Sequence, residues 1–291
     1  MSKAKLLSLL IVALTTLTHS TLLAQERFEL ERRGGHYYFT ATINAQPGDL
    51  MVESGIPALL VGQSVYDSCL SSGNLSFQPS QQKIRLLNRL YNIVYRAEGQ
   101  VAIGNVIYDG PVFVLEGYEG VSVPIQRLKD ATSGRAVVAI DLGNNYMEVG
   151  CRDKRVGGRK FKLGFDPELG FPLVTATIDV DTPEGRAKLK GRLIVDFGNP
   201  SLLFLLKQHP SLAKALEKDK IALKDAFDRQ GRLVAQGIYA ERVSLFGQSY
   251  ADLSIGVTDK MTTIEHLGFL GTKFFASPVV FDFDKGVMTM E

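Results

Sequence analysis

Apolar and polar residues alternate along most of this chain with a period of two. That pattern predicts strands at 36–44, 49–53, 100–108, 111–115 and 136–140, and at matching places in the second half. Gln46-Pro47-Gly48 and Asn144-Asn145 read as turns between them. Pro57 and Pro200 each precede aliphatic residues, which suits a short helix or turn entered through proline. The second half adds helical spacing over 202–208 and 211–227, where Leu212, Leu216, Leu223 and Phe227 fall on one face. The chain therefore reads as mostly β with little helix.

The matching places form a repeat. Phe39-Thr40-Ala41-Thr42-Ile43-Asn44 corresponds to Val174-Thr175-Ala176-Thr177-Ile178-Asp179, 135 residues on, with four identities in a row. Segment 48–60 corresponds to 191–203 at an offset of 143, so the second copy carries eight extra residues in its first hairpin. Segment 104–109 then matches 247–252 at 143, and 138–142 matches 279–283 at 141. Blocks in one order at nearly constant offset imply two copies of one unit of roughly 130 residues. The expected organisation is a leader at 1–24, a first unit at 25–152, a charged Gly-bearing linker at 153–160 and a second unit at 161–291.

Composition adds the compartment. With 45% hydrophobic residues, 22% charged and 11 prolines, the chain is a packed globular protein. Lys3 and Lys5 precede an apolar run over 6–17, and Leu22-Leu23-Ala24 offers a cut before Gln25, as in a secretory signal. The run is shorter than the ~20 residues a spanning helix needs, which predicts an exported protein, periplasmic or extracellular, with no membrane span after signal removal. Without Lys3 and Lys5 the 33 basic residues fall to 31, equal to the 31 acidic ones, which argues against nucleic acid as the main partner. Cys69 and Cys151 are the only cysteines. They read either as one disulfide formed in an oxidising compartment or as two free buried thiols, and they are too few for a structural zinc site.

At the centre of each unit an aliphatic strand ends in a carboxylate, one further residue and a glycine: Glu53-Ser54-Gly55 and Asp196-Phe197-Gly198. This form resembles the pepsin and retropepsin families of aspartic peptidases, whose lobes each supply an Asp-Thr/Ser-Gly loop after such a strand. Leu267-Gly268-Phe269-Leu270-Gly271, followed by Val279-Val280-Phe281-Asp282-Phe283, is similar to the closing part of a retropepsin-like unit. The resemblance implies a bilobal acid-protease-like fold built from two retropepsin-like β units. It also implies Glu53 and Asp196 as catalytic carboxylates, Ser54, Gly55, Phe197 and Gly198 as residues around the bound substrate, a peptide or protein partner, an acidic optimum and no cofactor or metal. Two carboxyls about 3 Å apart cannot both ionise, so one activates a water while the other protonates the scissile carbonyl.

The sequence departs from that pattern at named positions. Glu53 stands where the family has Asp, and Phe197 replaces the hydroxyl residue that locks the two loops together. Ile56 and Asn199 stand where a small residue is usual, and Gln126-Arg127-Leu128-Lys129-Asp130, the expected counterpart of 267–271, has no glycine. Two function classes follow: an aspartic endopeptidase with a Glu53/Asp196 dyad, or a catalytically silent homologue that binds peptide or protein in the same interlobe cleft. Segment 86–100 is the expected flap over that cleft, with 227–237 its counterpart. Asp196-Phe197-Gly198 also spells a protein-kinase motif, but no other kinase signature accompanies it. The mature histidines His36, His209 and His266 are scattered, and no Gly-x-Ser-x-Gly elbow occurs.

Overall fold

Alternation becomes hairpins wherever the backbone reverses. Strands His36–Ile43 and Gln46–Glu53 are joined by Asn44 and Ala45, both at positive φ (46° and 69°), so the turn falls ahead of Pro47, which pairs with Thr42. The run 100–108, expected to be one strand, is interrupted at Gly104 (φ 57°) and Asn105, where strand Arg89–Ile103 folds back on strand Val106–Leu115. The computed structural model describes residues 26–71, 73–86, 89–151, 157–218, 221–227, 230, 233–259 and 265–290. The expected leader and part of the expected linker lie outside them.

Each half builds the same arrangement. Strand Gln46–Glu53 pairs in parallel with Val121–Pro124, which pairs antiparallel with Leu59–Gly62, which in turn runs parallel to Val106–Leu115. In the second half Arg186–Val195 pairs in parallel with Gly268–Leu270, antiparallel to Leu203–Leu206, which runs parallel to Gln248–Thr258. The register corrects one correspondence. Val121 lies opposite Leu50 as Gly268 lies opposite Leu193, so the counterpart of 268–271 is Val121–Pro124 and not 126–130. Pro124 therefore stands in the place of Gly271.

The aliphatic residues after Pro57 and Pro200 are strands rather than the expected helical turns. Leu59, Leu60 and Val61 are fully buried between two neighbouring strands, the setting in which a strand carries a continuous apolar run. Among the described residues, helix is confined to short turns and to Pro210–Lys218, which buries Leu212 and Ala215. Lys224–Phe227, expected to continue that helix, is a strand paired with Leu233–Leu245.

The halves meet in an antiparallel sheet. Its order is Glu26–Glu29, Tyr146–Val149 and Val137–Asp141, followed by Val279–Asp282, Val287–Met290 and Arg159–Phe165, three strands from each half. At its centre Ala139 lies opposite Val280, its own counterpart in the repeat, so the two-fold relation between the copies passes between them. The cysteines do not pair. Cys69 packs into the main core and Cys151 into a separate cluster with Val137 and Val280, so both are free buried thiols. Burial pushes the Cys151 thiol up to about 11.

Candidate active site

Glu53 ends strand Gln46–Glu53, and Asp196 directly follows strand Arg186–Val195. The parallel neighbours fix both strand ends: Pro124 lies opposite Glu53, and the Asp196 amide donates to Leu270 O at 2.9 Å. The two carboxyls lie side by side, each residue 9% exposed, and the charge of Asp196 opposes ionisation of Glu53. The glycines work crosswise. A Cβ on Gly55 would meet the Asp196 carboxyl at 2.6 Å, and one on Gly198 would fall on the Glu53 carboxyl. Only glycine lets each loop pass under the opposite carboxyl, and the longer glutamate reaches further over Gly198 than Asp196 reaches over Gly55.

Ser54 ties the copies together. Its hydroxyl donates to Val195 O at 2.7 Å and accepts from the Phe197 amide at 3.0 Å, both buried. The reciprocal bonds from the second loop are missing, as the sequence implies. Phe197 is instead fully buried, stacked on Phe275 (centroids 4.9 Å, interplanar 18°) and edge-on to Phe281 (5.8 Å, 83°). Aromatic packing thus holds the side of the junction where a hydroxyl is absent. Ile56 is buried, and Asn199 Oδ1 accepts from the Ser201 amide and hydroxyl at 3.0 and 2.7 Å. Gln126 Nε2 donates to Ser54 O at 3.1 Å, a support that no sequence pattern signalled.

Burial raises both carboxyls. Glu53 stands well above the ordinary glutamate range, first because it is desolvated and then because Asp196 carries charge beside it; its bond to the Ser54 amide opposes this. Asp196 is pushed up to about 6 by burial, offset by the Gly198 amide at 3.0 Å and by the Glu53 side chain. Burial therefore disfavours the charged form of each, and most of all two charges side by side.

Strands Lys83–Leu86 and Arg89–Ile103 pair as a hairpin where the flap is expected, and Lys224–Phe227 pairs with Leu233–Leu245 in the second half. Ile84, Leu86 and Tyr91 pack on the cluster that contains Ile56. Tyr91 meets Tyr118 edge-on at 5.6 Å, while the Tyr118 hydroxyl is bonded to Ser122. Burial pushes Tyr118 up to about 12, and the Glu53 carboxylate acts in the same direction. Nothing in the sequence marked Tyr118. Tyr37 is buried and Tyr95 stacks on Tyr66 at 5.1 Å, both core roles. His266 bonds Asp166 at 2.8 Å, and no metal-binding cluster occurs among the described residues.

No protein-family model and no curated protein matches the chain in sequence. Among solved structures it is similar to the aspartic proteinase from Irpex lacteus, with a TM-score of 0.56 over 92% of this chain and 97% of that one. Identity is 11%, so the likeness is one of fold. The chain has the bilobal aspartic proteinase fold.

Proposed function

We propose that the chain is an exported aspartic-type endopeptidase that takes a peptide or protein between its two units and hydrolyses it with Glu53 and Asp196. One observation carries this reading: two carboxyls from equivalent strand ends, 143 residues apart in the chain, lie side by side in a buried setting, each seated over the opposite loop's glycine. Ionised Asp196 takes a proton from a water that attacks the scissile carbonyl carbon, and Glu53 gives its proton to the carbonyl oxygen. Collapse of the tetrahedral intermediate returns a proton to the leaving nitrogen. The catalytically silent reading is favoured by Phe197, which leaves the junction without its second hydroxyl lock. Export rests on the leader-like 1–24 segment, and no helix among the described residues is long and apolar enough to cross a membrane.

A peptide-library digest between about pH 4 and about pH 8 tests the proposal with wild type and Asp196→Asn. Cleavage abolished by the substitution supports the enzyme. Cleavage that persists, or none from wild type, overturns it. Mass spectrometry of the exported protein should find its first residue near Gln25.

A further inference from the structure

Several cations on this protein's strand pairs have acids beside them. Arg33 meets Asp49, Lys129 meets Asp109 at 2.8 Å, Lys188 meets Asp179 at 3.3 Å, and Arg186 and Arg242 share Asp181. One hairpin carries four cations with no such partner. Strands Lys83–Leu86 and Arg89–Ile103 carry Lys83, Arg85, Arg89 and Arg96, and the sequence has no Asp or Glu anywhere over 68–97. None of the four cations reaches a carboxylate among the described residues. Like charges crowded on one two-stranded ribbon repel one another, and no ion pair offsets that repulsion.

The placement of the hairpin gives the charge a use. Register sets Ile84 opposite Tyr91 and Leu86 opposite Arg89, so these four side chains share the face that packs toward Ile56, directly after the Glu53 loop. The Arg89 guanidinium lies 4.7 Å from the Tyr91 ring centroid, Tyr91 touches Tyr118, and Tyr118 feels the Glu53 carboxylate. Stacking on Tyr91 holds the planar fork in place before any ligand arrives, which lowers the entropy lost when it grips a carboxylate with two N–H groups. Lys83 and Arg85 stand on the opposite, exposed face and add to the field that an approaching anion feels.

We infer that the peptide bound at Glu53 and Asp196 carries Asp or Glu where it passes this hairpin, with Arg89 the residue that meets it. The inference rests on the proposed function and names its substrate class. An exposed ion pair of this kind is worth about threefold in selection.

The test keeps the two readings apart. Wild type digests a randomised peptide library near neutral pH, and product sequencing scores Asp and Glu against Asn and Gln at each position. We expect about threefold enrichment of acids at one or more positions, weakened by added salt and lost in Lys83→Gln/Arg85→Gln/Arg89→Gln, with Arg89→Lys keeping part of it. Cleavage without enrichment, or enrichment that survives the triple substitution, overturns the inference while leaving the endopeptidase reading intact. If wild type cleaves nothing, the endopeptidase reading falls, and fluorescence polarisation with a labelled acidic peptide and its amide twin decides the rest. Tighter binding of the acidic peptide that vanishes in the triple variant upholds the hairpin's role; equal binding overturns it.

Discussion

The two carboxyls make opposite demands on stability and on activity. Unfolded Asp titrates near 3.9, whereas native Asp196 titrates at about 6, so between those values the native state holds a proton that the unfolded chain has released. Stability therefore falls as pH rises through that window, by up to about 3 kcal/mol for Asp196 alone. The melting temperature of wild type should rise on acidification from neutral pH to about pH 5, and in Asp196→Asn that dependence should flatten, measured by calorimetry. In the proposed mechanism activity would run the other way: cleavage would need Asp196 ionised and Glu53 protonated, so its rate should rise with pH through about 6 and fall only where Glu53 ionises. A maximum at about pH 3 would contradict this assignment. Ser54→Ala removes a buried donor from Val195 O and orphans the Phe197 amide, at an expected cost of about 1–3 kcal/mol in denaturant unfolding. The carboxylates and glycines were legible because their spacing repeats. Phe197 read as a defect because sequence shows the missing hydroxyl but not the Phe275 and Phe281 rings that receive the side chain.

Among the elements, alternating strands announced themselves, while the exact turns at Asn44–Ala45 and Gly104–Asn105 and the buried strands did not. Leu59–Gly62 and Leu203–Leu206 are short apolar stretches behind a proline, too short for periodicity to tell strand from helix. What decides is the partner on each side, and those partners come from distant segments. The same crowding yields a sharp contrast between glycines. Strand Gly268–Leu270 is squeezed between two others, and a Cβ on Gly268 would collide with Phe204 O and come within 2.9 Å of Leu205 Cα. Those are backbone atoms that cannot rotate away, so Gly268→Ala should cost about 3 kcal/mol or more and loosen the strand that pins Asp196. Gly157, with nothing within 4 Å, should accept alanine within about 0.5 kcal/mol. Thermal melts of the two variants provide the comparison. The misplaced counterpart of 268–271 has a simple cause: an offset carried back from the closing hairpin cannot show that the first copy reaches its parallel strand by a shorter route.

At the scale of the whole molecule, the repeat predicted two like halves but not that they would share a sheet, since the pairing of Val137–Asp141 with Val279–Asp282 joins segments far apart in sequence. At the centre of that sheet a small residue faces a larger one, Ala139 against Val280. Ala139→Val should overfill the site by about 1–3 kcal/mol and Val280→Ala should empty it by a similar amount, while the exchange of both should come close to wild type in a double-mutant cycle. Additive losses would show that the two side chains do not share one space. The same geometry bears on how such a chain can change with time. Over most of the molecule each copy can drift alone, because its neighbours belong to itself. Along the rotation axis every residue has its sibling for a neighbour, so a substitution in one copy alters the surroundings of the other at once. Glu53 and Asp196 lie on that line as well. A recombination event that wrote one copy's sequence over the other would pass lightly over the outer strands and be felt first at the axis, where the copies differ as Glu53 from Asp196 and Ala139 from Val280.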